Sequence, residues 1–396
     1  MGVRAALRRR AVARPAVLLA AVPGGTPSRL AVERAVRAAG WPLVEGPAAA
    51  DLLVVAGRPA PGAAGWWDEL YDRLPGPRAR VSVAEPEHAA RALSAGRDLL
   101  RAAGGAAARP ARPSGRHGGP GPGGPVVAGP VVAGPVSDHL PLAERGDDRD
   151  GLRLDVLRLP LGPVLLDWPA GLVLRLALQG DVVVSATMDP PSPAPAAGGP
   201  PFWDEPWLRA ARGEPVARAA AARRLCAAHL DSVGRLLGVA GWAALAGSAH
   251  RLRDGLLTGA DPAAVRRGAR SLVRRGERSL TARWMLRGLG RLPTALARRA
   301  GVTGPALAAG GDAYDRFRCW LAEIERSAGL LTAPGLLGAG ERVGPRGRLG
   351  GGRPPSAALL DVLPRLVEGS EFGAARLVVA SLDPDLDELS RAAAHG

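Results

Sequence analysis

The sequence has no lysine, no asparagine, a single isoleucine (Ile324) and only two cysteines, Cys226 and Cys319, in 396 residues. Two thiols are too few for a disulfide framework or for a four-thiolate iron–sulfur cluster within one chain, and they fit a reducing, cytoplasmic setting. Without lysine there is no Walker phosphate loop, because the side chain that reaches the β- and γ-phosphates is missing. No uninterrupted apolar run approaches the roughly 20 residues of a membrane-spanning helix. The opening MGVRAALRRRAVARPAVLLAAVPGG has a basic start and a short apolar run. That run reads as a strand leading to a Gly turn rather than as a secretory signal. Aromatic residues make up 4%, against 54 Gly and 38 Pro, so part of the length is loop and linker rather than core.

What is present in excess is arginine, which supplies all 52 Lys-plus-Arg positions and a formal net charge of +15. Such a charge ordinarily points to nucleic acid or to an anionic membrane surface. Here the missing Lys and Asn and the abundance of Ala, Gly, Pro and Arg are what a GC-rich coding sequence produces, so much of the charge reflects codon usage. The arginines cluster at Arg8 to Arg10 and in VRRGARSLVRRGERS (265–279), where Arg266, Arg270 and Arg274 share one helical face. No aromatic stacking residue is interleaved in that segment, which favours a solvated or partner-facing helix over a nucleic-acid site.

The 47% hydrophobic content can fill two cores. PAVLLAAV (15–22), DLLVVAG (51–57) and ARVSV (79–83) predict strands. The stretches 28–40, 66–74 and 86–104 predict helices, with Ser28 as N-cap and Gly40 as C-cap. The first domain, 1–102, is therefore an α/β unit around a parallel, flavodoxin-like sheet. Function in such a sheet gathers at the strand carboxyl ends, here VPGGTPS, GRPAPG and AEPE. Residues 103–136, with the repeat GPVVA, read as a Gly/Pro/Ala linker. The second domain, 137–396, is predicted to be mainly α within an α+β fold: a β-hairpin turning at QGD (179–181), then four to six helices over 215–330. A helix over 356–369 and a strand within 375–389 close it.

Several of these stretches, in this order, resemble the 20-kDa-type and 49-kDa-type subunits of respiratory complex I and the small and large subunits of nickel–iron hydrogenases. ADLLVVAG followed by YDRLPGPRARVSVAEP (71–86) is similar to the small-subunit segment YDQMPEPRWVISMGSC, whose last Cys ligates a cluster. Here that stretch ends in Ala84-Glu85-Pro86, and VPGGTPSRLAVE (22–33) carries none of the family's earlier cysteines. LGPVLLDWPAGLVLRLALQGDVV (161–183), RRLCAAHLDSVGRLLG (223–238), GPRGRL (344–349) and the closing SLDP unit resemble the large subunit, whose fold the second domain is expected to share. The family's quinone-loop histidines have no counterpart, and Arg348 stands where the family has the Glu of Pro-Arg-Gly-Glu.

At the positions that match the family's metal-binding Cys-x-x-Cys pairs stand Cys226 with His229 and Asp385 with Glu388. The resemblance implies that these four converge. A thiolate, an imidazole and two carboxylates form an acceptable set for Zn²⁺ or another divalent first-row metal. The bland alternative makes Cys226 a small buried hydrophobe, His229 a hydrogen-bonded histidine, and Asp385 and Glu388 exposed acids of a C-terminal turn. His88, His117, His139, His250 and His395 have no acid or nucleophile at a telling spacing. No catalytic or cofactor-binding residue is assigned. The functional expectation is a fused, degenerate relative that acts as a non-catalytic assembly, docking or regulatory subunit of a membrane-associated oxidoreductase. It would be cytoplasmic, at the membrane face through partner subunits of the same type, with no thiolate-bound cluster. One alternative is an NADH-quinone-oxidoreductase-type enzyme subunit with a quinone or metal site and clusters supplied by partners. The other is a basic nucleic-acid-binding protein.

Overall fold

Three strands, Val17–Ala21 (β1), Leu52–Ala56 (β2) and Ala79–Val83 (β3), pair in parallel in the order β1-β2-β3. The computed structural model describes residues 13–60, 62–106, 145–147, 153–190 and 199–389. Its contacts divide the chain into one unit of residues 1–141 with 164–166 and another of 142–163 with 167–396.

In the first unit every residue of β2 is buried, which explains the unbroken apolar run: side chains alternate, and both faces are covered. Leu52 and Val54 point to Val32 and Val36 of the helix Thr26–Ala39 (α1) and to Leu93 and Leu100 of Ala89–Ala106 (α3). Leu53 and Val55 point to Trp67 and Leu70 of Ala64–Asp72 (α2). Gly40 ends α1 at φ 66°, as its sequence position predicts. The N-cap is Gly25 rather than Ser28, because the Gly24-Gly25 turn starts the helix early, at Thr26. The Ser28 hydroxyl instead donates to the Ala84 carbonyl at 2.9 Å. Of the linker expected over 103–136, residues up to 106 finish α3, and 107–136 lie outside the described residues.

The second unit opens with an antiparallel sheet, Arg145–Asp147 (β4), Arg153–Leu161 (β5), Leu174–Gln179 (β6) and Val182–Met188 (β7), in sequence order. Gly180, at φ 60°, makes the predicted hairpin turn. Helices follow: Glu205–Ala211 (α4), Arg218–Val239 (α5), Ala243–Leu257 (α6), Pro262–Glu277 (α7), Leu280–Leu286 (α8), Thr294–Arg299 (α9), Gly304–Ala309 (α10) and Ala313–Gly329 (α11). Residues 215–330 thus hold seven helices rather than four to six, since Gly and Pro cut the stretch between α7 and α11 into three pieces of one to two turns. A two-strand ribbon, Val343–Gly344 (β8) and Gly347–Arg348 (β9), precedes Pro355–Val367 (α12) and Phe372–Leu382 (α13).

The segment read as a strand within 375–389 is therefore helical. α13 packs on α5, α11, α12 and β7. Burial on nearly every side removes the apolar stripe that would have marked a helix. The same holds for α5, where all residues from Cys226 to Leu237 are buried. Any polar side chain on that stretch must find its partner inside the protein.

Candidate functional site

The polar residues of α5 meet the C-terminal end of α13. That helix stops at Asp383, a non-glycine residue in the left-handed region (φ 47°), whose amide closes on the Val379 carbonyl. Its carboxylate accepts from the Ser232 hydroxyl at 2.6 Å, Arg235 Nη1 at 3.0 Å and Arg346 Nη2 at 2.6 Å. Arg346 Nε also donates to the Asp383 carbonyl at 2.7 Å. Two guanidinium groups and a hydroxyl therefore saturate one buried carboxylate.

The turn between β8 and β9 delivers Arg346, and glycines let it come close. A Cβ on Gly304 would stand 2.5 Å from the Arg346 carbonyl, and one on Gly344 would stand 2.5 Å from Asp204 Oδ1. Asp204, just before α4, lies close enough to feel the charge of the same arginine. Arg346 Nη1 faces Asp385 Oδ2 at 3.7 Å, too long for a hydrogen bond. Arg346 Nη1, Asp385 Oδ2, Glu388 Oε1 and Asp204 Oδ1 are buried atoms without a hydrogen-bond partner. The other oxygens of the two C-terminal acids hold the backbone. Asp385 Oδ1 accepts from the Asp387 amide at 3.1 Å, and Glu388 Oε2 accepts from the Ser356 amide in the first turn of α12 at 2.8 Å.

Three buried carboxyls around one guanidinium edge cannot all stay ionised. Burial pushes Asp204 up to about 6, against the pull of Arg346. Burial and the neighbouring Asp387 push Asp385 up to about 7. Burial, with Asp204 and Asp385 nearby, holds Glu388 well above the usual carboxylate range. Arg346 is raised: burial alone would lower it, but Asp383, Asp385, Glu388 and Asp204 together outweigh that.

On the other side of Arg346 lies a small cavity lined by His229, Ser232, Arg316, Trp320, Ser381 and Asp383, among others. It leaves about 10 Å³ for the centre of a water molecule, room for about one. Burial lowers His229 to about 4, so the ring is neutral at physiological pH. Arg316 donates to Ser381 Oγ at 2.8 Å and to the Gly290 carbonyl at 3.0 Å, and burial lowers it to about 10. A second buried pair, Arg253 with Asp231, ties α6 to α5.

The four sequence-predicted metal positions are distributed as follows. Cys226 and His229 lie one turn apart on α5. The Cys226 thiol reaches the Ile324 carbonyl at 3.8 Å, and burial pushes it up to about 11, so it is a thiol rather than a thiolate. Asp385 and Glu388 do come together, around Ser356 and Arg346. Both are buried, which corrects the expectation of exposed acids in a C-terminal turn. Among the described residues no three or more His, Cys, Asp or Glu side chains are disposed to hold a metal ion.

Sequence reasoning missed Asp204, Ser232, Arg235, Arg346 and Asp383 as site residues. Arg346 and Asp383 lie inside GPRGRL and SLDP, where the motif was legible but the ion pair between the two was not. In the first unit, the carboxyl ends of β1 and β2 are closed on each other. A Cβ on Gly57 (φ 101°) would stand 2.7 Å from the Gly25 Cα. Pro86 stands where the resembling family has its cluster cysteine, and the preceding Glu85 is in an ion pair with Arg58.

The fold and site together define a two-unit protein, α/β then mainly helical α+β, with an arginine-centred acid cluster inside its helical unit. No family model matches the chain, and no curated protein does. Among solved structures it is similar to a chain in the structure of the membrane-bound sulfane sulfur reductase, an archaeal respiratory membrane complex. The identity is 17% and the TM-score 0.43, over 59% of this chain and 98% of that one.

Proposed function

We propose that this chain is a fused, non-catalytic relative of the complex I 20-kDa-type and 49-kDa-type subunits, serving as an assembly, docking or regulatory subunit of a membrane-associated oxidoreductase. The observation that carries this reading is the lock at Arg346. The segments that resemble the family's reactive landmarks spend their side chains on one another: Arg346 on Asp383, Glu388 on the Ser356 amide, the Cys226 thiol on the Ile324 carbonyl. A reactive centre needs a thiolate or an unengaged acid–base group facing space for a substrate. Here the thiol is protonated, the unpartnered oxygens of Asp204, Asp385 and Glu388 are buried and do not line the cavity beside Arg346, and that cavity has room for about one water, far below the roughly 300 Å³ of a small-molecule site.

Affinity purification of the tagged full chain from native membranes in mild detergent tests the reading. Cluster-bearing or membrane-spanning oxidoreductase subunits are expected to co-purify at a fixed ratio. Recovery of the chain alone, or quinone-dependent turnover by the chain alone, contradicts it.

A further inference from the structure

α8 is two turns long, starts at Ser279, whose hydroxyl accepts from the Ala282 amide at 3.0 Å, and buries only Ala282 and Leu286. Its other face carries Leu280 and Trp284, four residues apart and so adjacent on the helix surface. Leu280 is 78% exposed and Trp284 82% exposed. Tryptophan is among the side chains most buried on average, and an exposed Trp beside an exposed Leu leaves a large apolar area in water. Nothing in the packing of α8 accounts for that cost.

The surroundings have one sign of charge. Between 262 and 311 the sequence has eleven arginines and one acid, Glu277. Arg278, Arg283 and Arg287 flank the Leu280/Trp284 pair and are exposed, as are Arg274 and Arg275 in the last turn of α7. Among the described residues none of these five is in an ion pair; Arg287 lies over the Tyr314 ring at 5.8 Å. The basic segment 265–279 has no aromatic residue, yet Trp284 stands five residues beyond it.

We infer that the α8 face and the end of α7 dock directly on an anionic lipid surface. The chemistry matches at both levels. An aliphatic side chain enters the acyl boundary, the indole settles at headgroup depth, and arginines reach lipid phosphates and carboxylates. Stable membrane attachment takes two signals, and this face supplies an apolar insertion and a polybasic rim. A nucleic acid would stack on Trp284 but has no place to bury Leu280. An acidic protein is the other occupant with the right charge, and the test separates it. The inference stands apart from the proposed partnership with an oxidoreductase, since it concerns lipid alone.

Flotation of the purified full chain with vesicles of phosphatidylcholine containing about 30% phosphatidylserine, and with phosphatidylcholine alone, tests it. The chain is expected to float with the first and not with the second, at about 0.1 M salt. The double substitution Leu280→Ser and Trp284→Ala should weaken binding about tenfold or more. It leaves the net charge at +15, so non-specific attraction persists while insertion is lost. Thermal unfolding of that variant should match the parent, because both side chains are exposed. Equal flotation with both vesicle types, no flotation, or undiminished binding by the double variant overturns the inference. So does complete displacement from the vesicles by an acidic protein or oligonucleotide whose own binding depends on Trp284.

Discussion

Asp383 is the residue on which the helical unit closes, and its partners dictate what happens when it changes. Asp383→Asn leaves Arg235 and Arg346 buried without their shared countercharge and should cost about 3–5 kcal/mol in denaturant unfolding. Adding Arg235→Met removes the cation whose ion-pair partner is Asp383 and should recover part of that loss, a coupling that a double-mutant cycle reads directly. The buried acids make a different statement. Asp204 at about 6 and Asp385 at about 7 sit above ordinary carboxylates, so the native state holds protons that the unfolded chain has released. Their contribution to stability is full below the unfolded values near 4 and is lost as pH rises through 6 and 7. His229 has the opposite sense. Held neutral to about 4, it costs stability as pH falls from the unfolded value near 6.5. Melting temperature should therefore rise on acidification from pH 8 to about 6, and Asp385→Asn should raise it at pH 8 and flatten the slope. A profile that falls over that range, or is unaltered in the Asn variant, contradicts the assignment.

At the level of elements, the ribbon of β8 and β9 matters because it carries Arg346 inward, and close approach there depends on absent side chains. Gly344→Ala would place a Cβ 2.5 Å from Asp204 Oδ1 and should destabilise by about 1–3 kcal/mol, measured by thermal unfolding. No such loss is expected at Gly373, where a Cβ meets nothing within 4 Å. The strands β1, β2 and β3, the helices α1, α2 and α3 and the hairpin of β6 and β7 were legible in the sequence, since alternation, Gly caps and the QGD turn are local signals. α13 was not, because its burial on nearly all sides erases periodicity. The four polar positions singled out from the family resemblance do lie in the buried helical unit, two on α5 and two beyond α13. Their engagement by Ser356, Arg346 and Ile324 was invisible, since those partners lie 29 or more residues away in sequence. Trp284 escaped notice for the converse reason: nothing local in the sequence shows that this face of α8 is left without a packing partner.

Taken as a whole molecule, the chain engages the polar groups singled out from its sequence in ion pairs, hydrogen bonds or core burial. In the α/β unit Glu85 pairs with Arg58 at the end of β3. In the helical unit the Cys226 thiol and the C-terminal acids are built into the core. On the proposed reading these groups set stability and shape and take no part in turnover. The most direct test is the quinone-reductase rate of the membrane complex that co-purifies with the chain, compared with the rate after His229→Gln and Cys226→Ser are introduced. The rate per assembled complex is predicted to stay unchanged, within about twofold, with any loss confined to the amount assembled. A tenfold or greater fall in the rate of fully assembled complex would contradict a non-catalytic role.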